Sequence, residues 1–263
     1  MILDEIAESA RKRVASAKEH ISLPLLREQA LSVSRIPPDF KNALSGPGIS
    51  FICEVKRASP SKGIIAEDFP YLQIAREYEA AGAAAVSVLT EPEYFLGKDA
   101  YLREIADTVK IPLLRKDFIV DSYQIYEAKL LGASAVLLIC AILDQDALSS
   151  YIECAHYLGL AALVETHTEG EISRALRAGA QIIGVNNRDL KTFQVDLTAA
   201  LHLRSLVPPD RLFVSESGIR SRADIRALEA CGVDGVLIGE ALIRAADRGM
   251  YLAQLRGNGD AED

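Results

Sequence analysis

The chain has 263 residues, of which 49% are hydrophobic and 25% are charged, so it is long enough for one large globular domain or two small ones. Its formal net charge of −8 has the wrong sign for a surface that binds nucleic acid or anionic lipid. No apolar run approaches the length of a membrane span, and the charged N-terminal segment has no signal-peptide pattern. We therefore expect a soluble, cytoplasmic protein that holds any anionic ligand with a few local groups.

Residues 1–50 have helical periodicity and predict a helical extension, with the segment at 34–40 as its linker. After the extension, short apolar runs alternate with amphipathic segments. These runs predict eight buried strands, at 51–56, 84–90, 112–118, 135–141, 160–166, 182–187, 211–217 and 234–240.

Four of the helical patterns between these strands end at a glycine. They occupy residues 71–82, 123–132, 171–179 and 223–232, and end at Gly82, Gly132, Gly179 and Gly232. A glycine directly after a helical pattern is the expected C-cap. A similar sequence of helix, glycine and strand recurs at all four places, which indicates a repeated βα unit.

Eight βα units predict an α/β fold, a (β/α)8 TIM barrel over residues 51–255, since eight is the number of strands that closes such a barrel. We predict a single domain over 1–263, in which 1–50 is the helical extension and 256–263 an acidic tail. A doubly wound open sheet is the alternative. It is disfavoured because no Gly-x-Gly-x-x-Gly follows any strand.

Polar residues interrupt the apolar runs where the predicted strands end, and the active site of a TIM barrel lies at that edge. These residues are Glu54, Lys56, Lys116, Glu165, Asn186, Asn187, Glu216 and Ser217. Glu54 and Lys56 are two residues apart, so both point into the barrel. Each residue alone has a structural interpretation, as a lumenal ion pair or a turn residue. Charged or amide groups at five strand ends together favour a functional site.

The loops after the last two predicted strands favour a phosphate site. Gly218 and Gly239 let the backbone approach a ligand closely, and a helix begins at Glu240. The Glu240 carboxylate suits an anion site only if it turns outward and leaves its N–H to the ligand. Ser59 lies in the loop after the first strand, within reach of the same ligand. The alternative is that the glycines merely permit tight turns.

Six ordered segments resemble the indole-3-glycerol phosphate synthase family, over essentially the whole barrel. They are residues 54–63, 112–128, 163–171, 183–196, 214–219 and 236–244. The resemblance implies a carboxy-lyase of tryptophan biosynthesis. Its substrate would be 1-(2-carboxyphenylamino)-1-deoxyribulose 5-phosphate, which closes to indole-3-glycerol phosphate with loss of carbon dioxide and water.

The resemblance also implies residue roles. Lys116 would be the general acid and Glu165 the general base, while Lys56 would bind the substrate carboxylate and deliver a proton in the dehydration. Orientation of these groups and of substrate hydroxyls would fall to Glu54, Asn186 and Glu216, and Arg188 would contact the carboxylate. The phosphate would be held by Ser59, Ser217, Gly218, Gly239 and the N–H of Glu240.

Apolar side chains near the mouth would sandwich the aromatic ring of the substrate, and they are Phe95, Phe118, Leu137 and Leu190. Packing in the barrel core is their alternative role. The four cysteines form no Cys-x-x-Cys pair, and no metal or nucleotide motif is present, so we predict no metal and no cofactor. The expected partner is a small phosphorylated substrate, without nucleic acid, membrane or an obligate protein partner.

The residues leave three other functions open. A phosphoribosylanthranilate isomerase would commonly use a Cys or Asp at the strand ends, and no predicted strand ends that way. An aldolase would form a Schiff base through Lys116. A barrel that only binds a phosphorylated metabolite would need neither lysine, and Lys116, Lys56 and Glu165 argue against it.

Overall fold

The computed structural model describes residues 2–189 and 194–258. Eight parallel strands form a closed barrel, in which the first strand pairs with the eighth, so the predicted (β/α)8 fold is confirmed. In chain order they are β1 Ser50–Val55, β2 Ala85–Leu89, β3 Leu113–Lys116, β4 Ala135–Ile139, β5 Ala161–Thr166, β6 Ile182–Asn186, β7 Leu212–Glu216 and β8 Gly235–Ile238. Each lies within one of the eight predicted runs, or begins one residue before it.

Helices precede the barrel and surround it. Those before the barrel are Ile2–His20, called here the N-terminal helix, then Leu23–Ser32 and Phe40–Ala43. Those around it are Tyr71–Ala80, Asp99–Ala106, Tyr123–Leu130, Gln145–Tyr157, Glu169–Arg177, Thr198–Leu203, Arg222–Ala230, Glu240–Arg244 and Arg248–Arg256, with 3-10 turns at Cys140–Ile142 and Arg204–Leu206. The four predicted capping glycines, Gly82, Gly132, Gly179 and Gly232, all have positive φ, between 74° and 85°.

Side chains alternate between the lumen and the helix layer along each strand. On β1, Ile52 points into the lumen, while Cys53 and Val55 pack under the surrounding helices. The lower lumen is apolar, with Ala85, Leu114, Leu137, Leu163 and Val214 contributed by other strands. Glu54 lies above Ile52 on the same face, so the polar groups of the lumen collect at its carboxyl end.

The opposite end of the barrel is closed by the extension. Phe40 and Leu44 are fully buried against the lumenal core, and Asp39 caps their short helix through the backbone N–H of Asn42 at 2.9 Å. The segment at 34–40 is therefore not only a linker, since its last residue, Phe40, packs against the lumenal core at the amino-terminal end of the barrel. A four-residue helix leaves too little periodicity in the sequence to be recognised.

No helix among residues 2–189 and 194–258 is long and apolar enough to cross a membrane. The last helix extends to Arg256, and most of the predicted tail lies outside the described residues. The division of the chain at residues 50 and 255 stays a prediction.

Candidate active site

A pocket of about 1030 Å³, including its open mouth, lies at the carboxyl end of the barrel. It brings together most of the side chains that the sequence singles out. Those lining it are Glu54, Lys56, Ser59, Phe95, Lys116, Phe118, Leu137, Glu165, Asn186, Arg188, Glu216, Ser217 and Glu240. Gly218 and Gly239 are adjacent to two of these residues without lining the pocket themselves, and Leu190 lies outside the described residues.

Glu54 and Lys56 form an ion pair at the end of β1, with Glu54 Oε1 and Lys56 Nζ 2.5 Å apart. Burial opposes ionisation of Glu54, but the charges of Lys56 and Lys116 hold its pKa below the ordinary value. The pair packs against Gly239, where a β-carbon would overlap Glu54 Oε1 and approach Lys56 Nζ. Gly239 therefore gives these two side chains their space, apart from any role toward phosphate.

Lys116 extends from β3 into the centre of the pocket. Its Nζ lies 3.7 Å from Oε2 of Glu165, which comes from β5. Burial alone would lower the pKa of Lys116, but the charges of Glu165 and Glu54 contribute to raising it above the ordinary lysine value. The lysine is thus held as an ammonium, the form that donates a proton.

Glu216 ends β7 beside these groups and has the opposite character. Burial, and then the charge of Glu165, raise the pKa of Glu216 to about 8 against the opposing effect of Lys116. Among the described residues, Glu216 Oε1 has no hydrogen-bond partner. Gly184 on β6 makes room for this carboxyl group, because a β-carbon there would overlap Oε1. The raised pKa favours the protonated form of Glu216, which can donate a hydrogen bond.

The side of the pocket that the sequence predicts to hold phosphate is formed by three loops. Ser217 and Gly218 both have positive φ, 68° and 87°, so the chain turns sharply after β7, and a serine in that conformation is under strain. Glu240 begins the helix after β8, and its carboxylate faces Arg244 Nε at 3.2 Å and Lys62 Nζ at 3.9 Å. The side chain is therefore paired with cations while its backbone N–H remains at the helix start.

Ser59 comes from a small antiparallel hairpin, Ala58–Ser59 with Gly63–Ile64, in the loop after β1. Pro60 and Ser61 of the same hairpin also line the pocket. The apolar wall includes Phe95 and Phe118, whose ring centroids lie 6.0 Å apart. Leu137 belongs to both interpretations, because it lines the pocket and packs in the lumenal core.

The N-terminal helix adds residues that the sequence analysis did not identify. Ile2, Leu3 and Ile6 line the pocket. Arg13 of this helix donates to Asp117 Oδ1 at 2.9 Å, just beyond Lys116. The apolar spacing in this segment predicts a helix, but it does not predict the surface against which the helix packs.

A buried charge network behind β3 was also missed. Arg115 donates to the carbonyl of Gln124 at 2.7 Å, and its guanidinium lies 3.0 Å from Asp99 and 3.5 Å from Asp117. Asp117 also accepts from Thr90 Oγ1 at 2.7 Å. The sequence did contain a sign of this network. Arg115 and Asp117 alternate with Lys116 in a mostly apolar predicted strand, so they point to the other, buried face.

Two further polar residues have positions that the sequence analysis did not predict. Asn187, whose alternative role was a turn residue, is buried and donates to Ser215 Oγ and to the Glu216 carbonyl, both at 2.9 Å. It holds the ends of β6 and β7 together. The other is His167, which no sequence motif singled out and whose Nε2 lies 3.7 Å from Glu165 Oε1. Within the described residues, no group of His, Cys, Asp and Glu is placed to hold a metal ion.

Comparisons with known proteins point to one family. Residues 3–255 match the model of a family described as indole-3-glycerol phosphate synthase. The indole-3-glycerol phosphate synthase of Ruminiclostridium cellulolyticum is 56% identical over 98% of this chain and 100% of the relative. That of Endomicrobium trichonymphae is 54% identical over 97% and 100%.

Solved structures support the fold alone. A 3-hexulose-6-phosphate synthase superposes with a TM-score of 0.65 at 14% identity, covering 80% of this chain and all of that one. Thiamine phosphate pyrophosphorylase from Pyrococcus furiosus gives a TM-score of 0.61 at 18% identity, covering 84% of this chain and 97% of that one.

The family match over residues 3–255 and the identities of 56% and 54% to the two relatives named above show the family of this chain. It belongs to the indole-3-glycerol phosphate synthase family.

Proposed function

We propose how the side chains of this decarboxylating lyase form indole-3-glycerol phosphate in tryptophan biosynthesis. The substrate is 1-(2-carboxyphenylamino)-1-deoxyribulose 5-phosphate, and the products are indole-3-glycerol phosphate, carbon dioxide and water. Because the carboxylate leaves as neutral carbon dioxide, each turnover takes up one proton. The site must therefore supply more protons than it removes, which suits a pocket with two ammonium groups.

Lys116 is the general acid of ring closure. The ring carbon that bears the carboxylate attacks the ketone carbon, and the carbonyl oxygen takes a proton from Lys116 to become a hydroxyl. The observation that carries this role is the position of Lys116 beside Glu165 and Glu54, whose charges raise its pKa and keep it charged in a buried pocket. Acid–base help from one such group typically contributes about 10²–10⁴-fold.

Lys56 binds the substrate carboxylate, with Arg188 as a further contact, and both side chains line the pocket. When carbon dioxide leaves, the electron pair of the broken carbon–carbon bond returns to the ring and neutralises the iminium nitrogen. Glu54 orients Lys56 across the 2.5 Å contact and balances its charge once the carboxylate is gone. This pairing lets one lysine serve as a carboxylate contact first and a proton donor afterwards.

Glu165 is the general base of the dehydration. It removes a proton from the methylene carbon next to the nitrogen, while the hydroxyl formed by Lys116 leaves as water with a proton from Lys56. The two lysines give one proton each and Glu165 receives one, which leaves the net uptake of one proton. Asn186 and Glu216 hold substrate hydroxyl groups, since both line the pocket and the raised pKa of Glu216 favours a form that can donate a hydrogen bond.

The phosphate lies against the loops after β7 and β8. Ser59, Ser217, Gly218, Gly239 and the N–H of Glu240 hold it, and the pairing of the Glu240 carboxylate with Arg244 and Lys62 turns the negative charge aside. The anilino ring packs between Phe95, Phe118 and Leu137, with Leu190 as a further predicted contact. We infer no cofactor, since ring closure, decarboxylation and dehydration as written need nothing from the enzyme beyond binding and proton transfer.

We also infer that the enzyme works in the cytoplasm on a small phosphorylated substrate, without nucleic acid, a membrane or an obligate protein partner. The net charge of −8 supports this, because it disfavours polyanionic partners. A mixture of cell extract and tagged enzyme, separated by size, tests it. Persistent association with another protein that the enzyme needs for turnover would contradict the inference.

Indole formation, followed by product fluorescence, tests the residue roles in the native enzyme and in Lys116→Ala. We expect turnover in the native protein and a loss of about 10²–10⁴-fold in kcat for the variant. Lys110→Ala, which removes an exposed lysine near the far end of β3, is the matched control and should keep full activity. An active Lys116→Ala variant would move the acid to Lys56. A trapped Schiff base on Lys116 after borohydride treatment would contradict acid catalysis by this residue.

A further inference from the structure

His167 lies two residues beyond Glu165 and brackets that carboxylate opposite Lys116. Its Nε2 is 3.7 Å from Glu165 Oε1, while Lys116 Nζ is 3.7 Å from Oε2 of the same carboxylate. The other ring nitrogen, Nδ1, is 3.6 Å from Glu171 Oε2. Each oxygen of the proposed base therefore faces a different nitrogen group.

Both ring nitrogens of His167 are buried and make no hydrogen bond to any of the described residues. Each nitrogen nevertheless faces a carboxylate. A neutral imidazole has one donor and one acceptor nitrogen, so its acceptor would point at negative charge, whereas an imidazolium has two donors. The arrangement of Glu165, His167 and Glu171 therefore fits the charged form of the ring.

We propose that His167, as an imidazolium, is a positioning residue that keeps the carboxylate of Glu165 ionised and aimed between ring closure and dehydration. The inference rests on the proposed role of Glu165 as the base. His167 acts through Glu165 and needs no contact with the substrate. Its side chain is 15% exposed and that of Glu165 only 4%, so the cation lies on the outer side of a buried base.

The need for a second cation follows from the order of the steps. Ring closure removes a proton from Lys116, so Glu165 loses its cationic neighbour just before it must act as a base. In a buried site with Glu54 and Glu216 nearby, an unpaired carboxylate tends to bind a proton instead. His167 keeps its charge through ring closure and so maintains Glu165 as an anion.

The surroundings of His167 hold it in this state. Burial lowers the pKa of the ring, but the hydrogen bond and charge of Glu171 and the charge of Glu165 oppose burial, and the pKa is raised above the ordinary histidine value. The other groups facing this region are Arg174, which donates to the Cys140 carbonyl at 3.2 Å, and the Cys140 thiol. Burial, followed by the Glu171 charge, raises the pKa of that thiol to about 12, so it is neutral when the enzyme works.

A purely structural role for the ring is already filled by the backbone. The N–H of His167 donates to Glu171 Oε2 at 2.6 Å, and Thr168 caps the following helix through the N–H of Glu171 at 3.2 Å. Neither bond involves the imidazole. Substitution of the imidazole should therefore leave the loop after β5 in place and remove only the positive charge of the side chain.

The test compares His167→Gln with His167→Lys. His167→Gln keeps an N–H donor without the charge, and we expect kcat to fall roughly 10- to 100-fold with KM within about twofold, less than loss of a direct transition-state donor costs. The slow step should become dehydration, so the ring-closed intermediate should accumulate in a single turnover. His167→Lys restores a cation and should recover most of kcat. His202→Gln, on an exposed helix position, is the control and should change neither constant.

The pH profile supplies a second readout. In the native enzyme kcat should fall as pH rises through the raised pKa of His167, and this limb should move to higher pH in His167→Lys. A variant His167→Gln with native kcat and an unchanged profile would overturn the proposal, as would a folded His167→Lys that is as slow as His167→Gln.

An NMR titration of the native enzyme covers the case in which the variants do not fold. Both imidazole nitrogens of His167 should carry protons at pH 7, and a neutral ring would refute the proposal. Full activity in Glu165→Gln would instead refute the proposed base. Loss of activity in Glu165→Gln with no effect of His167→Gln would reject only the role of His167.

Discussion

The two faces of β3 carry two neighbouring cations, Arg115 and Lys116, which differ in burial and in the number of their partners. Arg115 points outward into the helix layer, where its side chain is 1% exposed and its guanidinium reaches Gln124, Thr90, Asp99, Glu127 and Asp117. Lys116 points inward, is 17% exposed, and has one carboxylate at 3.7 Å, longer than a good hydrogen bond. The satisfied cation supports the fold, while the loosely held one is the cation to which we assign proton donation.

Substitution of the inward cation should have the largest effect on activity. For Lys116→Met we expect a loss of about 10²–10⁴-fold in kcat, because the variant lacks the proposed donor for the carbonyl oxygen. The free energy of unfolding should change less than in the matched Arg115→Met variant, since the carboxylates left behind can bind a proton, as Glu216 already does near neutral pH. Steady-state kinetics and urea unfolding of the same preparations check both parts.

Substitution of the outward cation should have the largest effect on stability. We expect Arg115→Met to lose about 3–5 kcal/mol of unfolding free energy, because Asp117 stays buried with part of its compensation removed. The fraction that folds should retain a kcat near the native value. Arg11→Met, which breaks only the exposed pair with Glu8, should cost about 0–1 kcal/mol.

Equal stabilities for Arg115→Met and Arg11→Met in urea unfolding at neutral pH would refute the contrast between the two faces. So would a fully stable Arg115→Met that has lost all activity, because Arg115 would then act in the chemistry.

The alternation along β3 also marks what the sequence could and could not predict. Buried strands and their parity follow from local pattern, so Lys116 and Glu54 could be assigned to the lumen from their own neighbours. The partners of Arg115 and Asp117 come from other elements, and Arg13 is 104 residues away from Asp117. A local pattern carries no information about which distant helix docks there, and the same limit hid Phe40 at the barrel floor and His167 beside Glu165.

Glycines inside strands offer a smaller perturbation of the inward face. In Gly184→Ala the new β-carbon would overlap Glu216 Oε1 and lie 3.2 Å from Leu163 Cδ1, so the carboxyl group must move. We expect kcat/KM to fall roughly tenfold, equivalent to about 1.4 kcal/mol of transition-state stabilisation. In Gly235→Ala, on β8, the nearest atom is 3.4 Å away, an ordinary contact, and activity should be kept. Equal losses in the two variants would show that the space at Gly184 has no special relation to Glu216.

Glu216→Gln should have the mildest effect at neutral pH and the clearest dependence on pH. The pKa of Glu216 is raised from its ordinary value to about 8, so the folded enzyme keeps a proton that the unfolded chain has already lost. Its contribution to the unfolding free energy is therefore fully present below pH 4.5, falls as pH rises toward 8, and is constant above that. Gln resembles the protonated carboxyl group and cannot ionise, so the variant should lack this decline while keeping most of kcat/KM at pH 7. Unfolding free energies of the native enzyme and Glu216→Gln, measured between pH 5 and 9, test this pH dependence. Parallel curves would mean that Glu216 ionises normally. Lys116 would then face three carboxylates rather than two.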